Sequence, residues 1–503
     1  MRLTASAAVL AVALAGCVGG KVQSTPSEGA STSGGAGGAT SIDALYAQDV
    51  SWSECGTDEC ASVVAPLDWD DLSSGTIELA VERHVATGSG RKGSMLINPG
   101  GPGQSGIDFL GYAVSDVLGP EVLDAYDVVA FDPRGVGAST AVRCGGDEVI
   151  DAYLTADVDI RSQQDLDAAR ARVAEVGQTC LDATGDLLAH VDTISSAKDM
   201  DLLRAVVGDE KLNYLGYSYG TFLGATYAGL FPEKVGRFVL DGALDPSMSN
   251  DELGMQQAEG FEKALRAYVA DCQAGSGCPL TGSVDDGMAQ VRQLVDRAKA
   301  RPLDAGGGQS VNSALVFYGI VVTLYDDSYW SYLTQALDEA ITENMASILL
   351  QLANLYLDRS ADGSYASNAM MAFTAINCVD YPIVDRDYDE LVAFAAEVSA
   401  VAPTFGDQFA LAAGCEAWPE QSTREPAPIA AAGAGPILVV GTTGDPATPY
   451  AWAQALADQL DSGHLLTWEG EGHTAYGRGG ACVSEVVEAY LLDGEIPEDG
   501  KVC

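Results

Sequence analysis

The sequence predicts an α/β protein whose mostly parallel, doubly wound sheet is interrupted by a large helical cap. Short apolar strands alternate with helical patterns as far as residue 246, and this alternation is typical of βαβ units with a parallel sheet. Residues 247–430 are mostly helical in pattern, and the alternation resumes in residues 431–503. The strands on either side of the helical block must therefore pair in one sheet, with the block inserted between them.

The N-terminal segment has the features of an export signal. A basic residue is followed by an apolar run that is too short to span a bilayer as a mature helix. The run ends in "LAGC", which predicts removal of residues 1–16 and a lipid on the Cys17 thiol. The alternative is cleavage after the preceding "ALA", which releases a soluble protein. Residues 17–44 are rich in small and polar side chains, which predicts a flexible tether.

The composition narrows the choice of partners. The chain has 26 basic and 72 acidic residues, and its formal net charge is −46. Such a surface repels nucleic acid and anionic lipid headgroups. We therefore expect no nucleic-acid partner, and contact with the outer face of the cytoplasmic membrane only through the lipid anchor.

The first part of the core, residues 45–246, contains five predicted strands and two predicted helices. The strands are 76–86, the start of 94–103, 128–131, 211–218 and 235–242. The helices are 195–208, which stops at Gly208, and 221–232, which ends at Pro232. The last part, residues 431–503, adds a strand from 436, a helix through Leu460, a strand at 464–473 and a final helix.

The cysteine count predicts disulfides. Of the eleven cysteines, Cys17 is assigned to the lipid, and the remaining ten form an even number in an exported chain. The spacing does not fix the connectivity, and the simplest prediction pairs neighbours. These pairs are Cys55–Cys60, Cys144–Cys180, Cys272–Cys278, Cys378–Cys415 and Cys482–Cys503. The spacings match no zinc pattern and the chain has four histidines, so no metal and no cofactor are predicted.

A serine stands between two glycines where a predicted strand passes into a helix. The segment is Gly216-Tyr217-Ser218-Tyr219-Gly220. A chance match is common in a chain with 57 glycines. The functional interpretation is a nucleophile elbow, in which a sharp turn presents the serine Oγ and glycines let the backbone pass closely. This interpretation needs a base, an acid and an oxyanion hole elsewhere in the chain.

The histidine best placed to act as the base is His473. It ends the last predicted strand among glycines, at the carboxyl edge of the sheet where sites of α/β proteins lie. His84 and His464 belong to predicted strands and are assigned structural roles, while His190 precedes a helix without supporting context.

The orienting acid is predicted to be Asp445, which follows the apolar strand at 437–440. The alternative for that residue is a turn aspartate before a proline, and the second candidate acid is Asp241, after the preceding core strand. The order Ser218, Asp445, His473 decides for Asp445, because it is the order of the triad in α/β-hydrolases.

The glycine-rich segment 98–106 follows an early strand and is predicted to form the oxyanion hole. Gly101 is the expected donor there, with Gly100 next, and the backbone N–H of Tyr219 supplies the second donor. The alternative is a phosphate-binding loop, but the segment lacks the Lys-Ser/Thr ending of a P-loop. The side chains of Tyr217 and Tyr219 either line the pocket or pack against the sheet and cap.

Together these motifs resemble the exported bacterial tripeptidyl aminopeptidases, which are relatives of proline iminopeptidase in the α/β-hydrolase superfamily. The resemblance covers the chain from about residue 45 to the end, including the cap. Proline iminopeptidases usually carry a histidine where Pro99 stands, so this chain fits the tripeptidyl branch better. The segments that carry the resemblance are Asn98–Gly103, Phe131–Gly137, Gly216–Gly220, Gly444–Pro446 and Gly472–His473.

The resemblance implies a catalytic triad of Ser218, Asp445 and His473, with Gly101 and Tyr219 as oxyanion donors. It implies a serine exopeptidase that releases short peptides, tripeptides among them, from free N-termini through an acyl-enzyme. The same machinery suits a carboxylesterase or amidase that acts on small esters or amides. A third hypothesis is a lipid-anchored binding protein with a degenerate hydrolase fold, and the intact triad argues against it.

An aminopeptidase also needs a carboxylate for the ammonium group of its substrate, because an unpaired buried charge is costly. We expect the cap to cover Ser218, so its acidic residues are the candidates. Asp380 and Glu252 are placed first, since Asp380 lies beside Cys378 and a disulfide would hold it rigid. The other candidates lie early in the cap and are Asp251, Glu259 and Glu262.

Overall fold

The computed structural model describes residues 41–410 and 415–503. The predicted signal sequence, the predicted lipidation site Cys17 and nearly all of the predicted tether lie outside the described residues. Residues 42–44, the end of the predicted tether, belong to the first helix. Within the described residues, no helix combines the length and the apolar character that crossing a bilayer requires.

Twelve strands are present in the described part of the chain. In chain order they are β1 Ser53–Cys55, β2 Asp58–Pro66, β3 Thr76–His84, β4 Gly93–Asn98, β5 Tyr126–Phe131, β6 Leu212–Tyr217, β7 Val235–Asp241, β8 Leu303–Gly306, β9 Gln309–Val311, β10 Ile437–Gly444, β11 Gly463–Glu471 and β12 Lys501–Val502.

The described α-helices number seventeen. They are α1 Ile42–Tyr46, α2 Gly106–Tyr112, α3 Pro120–Ala125, α4 Asp147–Leu154, α5 Gln163–Thr184, α6 Thr193–Val206, α7 Tyr219–Leu230, α8 Asn250–Ala274, α9 Val284–Ala300, α10 Ser313–Leu324, α11 Trp330–Asp338, α12 Ser347–Tyr356, α13 Ala369–Asp380, α14 Tyr388–Val401, α15 Gly406–Ala410, α16 Tyr450–Gln459 and α17 Gly480–Asp493. Short 3₁₀ or π segments occupy Ala113–Val117, Gly185–His190, Pro232–Lys234, Asp327–Tyr329, Glu339–Glu343 and Cys415–Ala417.

Ten of the strands form one sheet in the order β1-β2-β3-β5-β4-β6-β7-β10-β11-β12. The pairs from β1 to β3, and β3 with β5, are antiparallel, and every pair from β5 onward is parallel. Strand β10 pairs directly with β7 although about two hundred residues separate them in the chain. The prediction of one sheet around an inserted cap is therefore confirmed, and the fold is that of the α/β-hydrolases.

Apolar side chains cover both faces of the sheet. One face packs against α1, α5, α6, α7 and α16, with Val176, Met200 and Trp452 in the cluster. The opposite face packs against α2, α3 and α17, with Val122 and Val487. Because helices on both faces bury the strands, the loops at the carboxyl ends of the parallel strands are the free edge of the core, and ligands bind there in such sheets.

The cap has an apolar core of its own. Leu265, Val291, Ile320 and Leu349, from four different cap helices, are fully buried in one cluster. The cap is mostly helical, as predicted, but it also contains the hairpin β8–β9. The sequence interpretation missed this hairpin, whose turn is formed by three consecutive glycines at 306–308, all with positive φ.

Helices α4 and α5 were also missed. They lie in the first part of the core, where no helix was predicted between residues 132 and 194. In α5, Leu166, Ala169, Val173 and Val176 are buried at helical spacing on one face, and charged residues occupy the rest. Its apolar stripe is narrow, and a polar 22-residue helix of this kind gives a weak periodic signal.

The five disulfides join the cysteines in the neighbouring pairs that the sequence predicted. Sequence separations are 5 for Cys55–Cys60 and 36 for Cys144–Cys180. The remaining three pairs are Cys272–Cys278, Cys378–Cys415 and Cys482–Cys503. The last of them fastens the C-terminal residue, which follows the edge strand β12, to α17.

Candidate active site

Ser218 lies in the sharp turn between β6 and α7. Its backbone has φ 54° and ψ −124°, a conformation that side-chain-bearing residues rarely adopt. The turn is tied to the neighbouring strand, because Ser218 N donates to Asp241 O at 2.9 Å. A strained serine at the exit of a central parallel strand is the geometry of a nucleophile elbow, as the sequence predicted.

The flanking glycines are required by the packing of the elbow. A Cβ added to Gly216 would lie 2.5 Å from Gly220 O. A Cβ added to Gly220 would lie 2.8 Å from Asn98 Oδ1. A side chain at position 216 would therefore open the elbow itself, and one at position 220 would push the elbow away from Asn98, where the glycine-rich loop begins.

His473 is held by Asp445. Its Nδ1 lies 2.9 Å from both Oδ1 and Oδ2 of Asp445, whose side chain is completely buried. The carboxylate also accepts from the backbone N–H groups of Ala447, Thr448 and Thr474 and from the Thr448 hydroxyl. This network fixes the carboxylate, and the carboxylate in turn fixes the orientation of the imidazole ring.

The histidine and the serine both lie close to the turn at residues 241 and 242. A Cβ added to Gly242 would lie 3.1 Å from His473 Cε1. Gly242 directly follows Asp241, whose carbonyl accepts from Ser218 N. In the described part of the chain, every hydrogen bond of the His473 ring involves Nδ1. Nε2 is therefore the nitrogen available to the Ser218 hydroxyl.

Asp241, the second candidate for the acid, has a different role. Its buried carboxylate accepts from Ala475 N at 3.0 Å and from Tyr476 N at 2.7 Å, and makes no hydrogen bond to the His473 ring among the described residues. Burial raises the pKa of Asp241 to about 7, and the two backbone N–H groups oppose that rise. Asp241 thus anchors the segment that follows His473, while Asp445 contacts the ring.

The glycine-rich loop lies directly against the elbow. A Cβ added to Gly100 would be 2.9 Å from Ser218 Cβ and 3.1 Å from Tyr219 N. Gly100 N donates to Asn98 Oδ1 at 3.0 Å, so this N–H is occupied. Among the described residues, the N–H groups of Gly101 and Tyr219 are not used in hydrogen bonds within the protein. Free backbone N–H groups beside the nucleophile are what an oxyanion hole requires, so Gly101 and Tyr219 remain the candidate donors and Gly100 does not.

The side chains of the two flanking tyrosines pack inside the protein. Tyr217 is 6% exposed and its hydroxyl donates to Tyr476 O. Tyr219 is 4% exposed and its hydroxyl lies 2.6 Å from Thr193 Oγ1. Of the two possibilities that the sequence left open, packing is the one observed.

The "FDPRGVG" segment at the end of β5 holds the glycine-rich loop in place. Arg134 forms a bidentate ion pair with Asp199, and both side chains are completely buried. Asp132 accepts from the hydroxyl of Ser105 at 2.6 Å and from Ala138 N at 2.7 Å. Since Ser105 caps α2 immediately after the glycine-rich loop, Asp132 fixes the end of that loop.

The cap contacts the site on two sides. A Cβ added to Gly103, at the end of the glycine-rich loop, would lie 2.5 Å from Ala369 O in α13. On the other side, His473 N donates to Tyr325 O at 2.8 Å, and the two rings meet edge to face with centroids 5.4 Å apart. One cap segment therefore contacts the glycine-rich loop, and another contacts the histidine segment. The sequence did not identify Tyr325, because a helical pattern does not show which group the backbone carbonyl at the end of the helix will bind.

The two residues proposed to bind the substrate's ammonium group are used within the protein. Asp380 is 2% exposed and accepts from Thr193 N at 2.9 Å and Thr193 Oγ1 at 2.5 Å. Glu252 closes the capping box of α8 with Ser249. The structure supports neither of them as a contact of the substrate, because Asp380 is enclosed and the carboxylate of Glu252 is occupied by the helix terminus.

The other acidic candidates in the cap are engaged in the same way. Asp251 pairs with Arg386, Glu259 pairs with Lys263, and Glu262 accepts from Thr404.

Among the described residues, the one cluster with metal-ligand composition is Cys55, Cys60 and Glu82, and both of its cysteines are joined in a disulfide.

Comparisons with known proteins find relatives that match most of the chain. The family model described as TAP-like protein matches residues 402–503. Serine protease Hip1 of Mycobacterium tuberculosis is 36% identical over 488 residues, which cover 91% of this chain and 91% of that protein. Carboxylesterase B of the same species is 37% identical over 458 residues, with 90% of this chain and 87% of that protein covered. Tripeptidyl aminopeptidase of Streptomyces coelicolor is 30% identical over 466 residues, with 88% and 84% covered.

Proposed function

Because the chain belongs to the TAP-like serine hydrolases of the α/β-hydrolase superfamily, we propose that it is an exopeptidase that releases short peptides, most often tripeptides, from free N-termini. The observation that carries the proposal is that two cap segments contact the site, one at the glycine-rich loop beside Ser218 and one at the segment of His473, whose ring is held by a buried aspartate. A site that the cap contacts on two sides suits a substrate that enters by one end.

In acylation, Ser218 Oγ attacks the carbonyl carbon of the scissile bond, and His473 Nε2 takes the hydroxyl proton. Asp445 keeps Nδ1 protonated and stabilises the imidazolium that forms. The carbonyl oxygen becomes an oxyanion that accepts from the N–H groups of Gly101 and Tyr219. Because those donors are fixed before the reaction, they stabilise the charge without reorganising.

The tetrahedral intermediate then collapses, and Nε2 gives its proton to the leaving amine. The released peptide chain departs, and the short N-terminal peptide remains as an ester on Ser218 Oγ. A water molecule that loses its proton to Nε2 attacks this ester. The second tetrahedral intermediate releases the peptide acid and returns the proton to Oγ.

The cap would set the length of the peptide that is removed. An extended chain spans about 3.3–3.6 Å per residue, so a tripeptide places its ammonium group about 10 Å from Ser218 Oγ. A closed end at that distance, with a carboxylate or carbonyl groups for the ammonium, would reject longer acyl groups. The names of two relatives, a serine protease and a tripeptidyl aminopeptidase, support a peptide substrate.

The alternative is a carboxylesterase that uses the same triad. A relative named carboxylesterase B is as similar to this chain as the protease is. Ester hydrolysis needs the same nucleophile and oxyanion hole, but no protonation of a poor leaving group.

A substrate panel separates these functions. Tripeptidyl anilides with free and acetylated N-termini are compared with aminoacyl anilides and small nitrophenyl esters, with Ser218→Ala as the blank. Acetylation is expected to lower kcat/KM by about thirtyfold or more, which corresponds to about 2 kcal/mol for removing one partner of a buried charge pair. Equal cleavage of free and acetylated anilides would reject the exopeptidase, and turnover of esters alone would favour the esterase.

We also propose that the enzyme acts outside the cytoplasmic membrane, held by a lipid on Cys17. The "LAGC" segment and the small, polar sequence that follows it support this location. An even set of ten disulfide-bonded cysteines is consistent with an oxidising compartment. A tether of this kind would let the enzyme reach peptides away from the lipid surface.

A further inference from the structure

We propose that the ion pair between Arg478 and Asp326 positions the catalytic histidine and couples it to the cap. The inference rests on the assignment of His473 to the triad of a serine hydrolase. It does not depend on whether the substrate is a peptide or an ester.

Arg478 binds the backbone of the histidine segment at three points. Its Nη1 donates to His473 O at 3.0 Å and to Thr474 O at 3.2 Å, and its Nη2 donates to Glu471 O at 3.2 Å. Its Nε donates to Asp326 Oδ2 at 2.8 Å. One guanidinium thus joins three carbonyl groups around the catalytic residue to a carboxylate of the cap, which only the planar fork of arginine can do.

Asp326 lies in the cap, directly after α10, and forms an isolated antiparallel bridge with Gly472. Burial tends to raise its pKa, but the hydrogen bond and charge of Arg478 prevail and lower the pKa of Asp326. The preceding residue, Tyr325, accepts from His473 N at 2.8 Å. The cap therefore holds the peptide of His473 directly through Tyr325, and again through Asp326 and Arg478.

Gly472 shows how closely these groups are packed. A Cβ added there would lie 2.7 Å from Arg478 Nη2 and 2.7 Å from Tyr325 O, and the backbone has φ 99°. The segment passes between the arginine and the cap with no room for a side chain. The glycine before His473 is thus explained by the contact with Arg478 and the cap.

Three groups therefore fix His473 from different sides. Asp445 holds the ring, Asp241 holds the N–H groups of the following residues, and Arg478 with Asp326 holds the preceding and following carbonyl groups. The first two belong to the core, and the last joins the core to the cap. Without Asp326, Arg478 keeps its carbonyl acceptors and a longer contact with Asp327. The cap then holds the histidine segment mainly through Tyr325 O. A displacement of about 1 Å at such a site can lower a rate about a hundredfold.

The test measures the reactivity of Ser218 towards a fluorophosphonate, together with kcat and KM for a nitrophenyl ester. The variants are Asp326→Ala, Arg478→Ala, Arg478→Lys and the double alanine variant. The matched control is another ion pair between cap and core, Arg359 with Asp151. Side-chain exposures are 14% and 27% in the control pair, against 17% and 24% for Arg478 and Asp326.

We expect Asp326→Ala and Arg478→Ala to lower the labelling rate and kcat about ten- to a hundredfold while KM stays within about twofold. Arg478→Lys is expected to recover part of the loss, because one ammonium group can pair with the carboxylate but cannot also reach three carbonyl groups. The double variant is expected to match Arg478→Ala, since both substitutions break one link. Arg359→Ala and Asp151→Ala are expected to label at the wild-type rate.

The inference is overturned if Asp326→Ala labels as fast as the control variants, if the two effects multiply in the double variant, or if KM rises while kcat is unchanged. It also falls if wild-type protein does not react with the probe, because His473 would then not serve a nucleophilic serine. Should Arg478→Ala not fold, Asp326→Ala and Asp326→Asn carry the same comparison. Failure of the peptidase proposal would appear instead in the anilide panel, with labelling unaffected.

Discussion

Replacing Asp380 by asparagine is expected to remove a contribution to the stability of the fold that is present at low pH and lost as pH rises. Asp380 is fully enclosed at the end of α13, where it accepts two hydrogen bonds from Thr193. Burial raises the pKa of Asp380 from 3.8 to about 7, and the hydrogen bonds of Thr193 only partly oppose this. An asparagine at this position has nearly the same shape and cannot ionise.

The raised pKa determines whether Asp380 stabilises the protein at low or at high pH. The folded state binds the Asp380 proton more tightly than the unfolded state does, so its contribution to stability is present at low pH and is lost as pH rises from about 4 to about 7. A shift from 3.8 to about 7 at 1.36 kcal/mol per unit corresponds to about 4 kcal/mol. The free energy of unfolding of wild-type protein should thus fall by up to about 4 kcal/mol relative to Asp380→Asn between pH 4 and pH 8.

The measurement is urea unfolding of both proteins across that range, with disulfides intact. Glu252→Gln is the control, because the hydrogen bonds of Ser249 lower the pKa of Glu252. A lowered pKa contributes stability at high pH that is lost on acidification, so this control should change in the opposite direction. A constant difference between wild type and Asp380→Asn at all pH values would refute the reasoning.

The same variant tests the earlier role for this residue. If Asp380 bound the ammonium group of the substrate, Asp380→Asn would raise KM for free tripeptidyl anilides and leave acetylated ones unchanged. We expect instead that Asp380→Asn changes KM by the same factor for the free and the acetylated anilides.

Three other predictions are independent of this one. Gly100→Ala should lower kcat about a hundredfold or more, because its Cβ would lie 2.5 Å from a backbone carbonyl of the elbow. In the same anilide assay, Gly111→Ala in α2 should keep full activity, because there is open space around that residue. Removing Cys144–Cys180, whose partners are 36 residues apart, should lower the free energy of unfolding by about 4 kcal/mol in urea titrations; an unchanged midpoint would contradict this. Cys17→Ser should move the protein from the membrane fraction to the soluble fraction with kcat unchanged, and a variant that stays in the membrane pellet would reject the anchor.

Much of the fold followed from local patterns. Seven of the ten strands of the sheet, from Thr76–His84 to Gly463–Glu471, are apolar or alternating runs bounded by turn residues, and their positions were predicted. The edge strands β1, β2 and β12 were not predicted. The triad followed because each member ends a predicted strand, and parallel strands bring their carboxyl ends to one edge. The disulfide pairs followed from nearness in the chain.

What could not be predicted depends on contacts between distant segments. Asp241 and Asp445 both lie at the ends of core strands, so the local sequence did not show which of them is the acid. The choice of Asp445 rested on the order of the triad residues along the chain. Asp380 was judged from its nearness to a cysteine, but whether a carboxylate faces a cleft or is enclosed depends on what packs over it. The sequence analysis did not single out Arg478, because its partner Asp326 is about 150 residues away in the chain.

The central claim is that a peptide acyl group passes through Ser218. The most direct test mixes the enzyme with a tripeptidyl nitrophenyl ester that has a free N-terminus, quenches the reaction in acid within the first turnover, and locates the added mass by peptide mapping. We expect one tripeptidyl group on the peptide that contains Ser218. Ser218→Ala should carry no such group, and the N-acetylated ester should leave far less of it on the wild-type enzyme. Hydrolysis without any adduct, or an adduct on another residue, would contradict it.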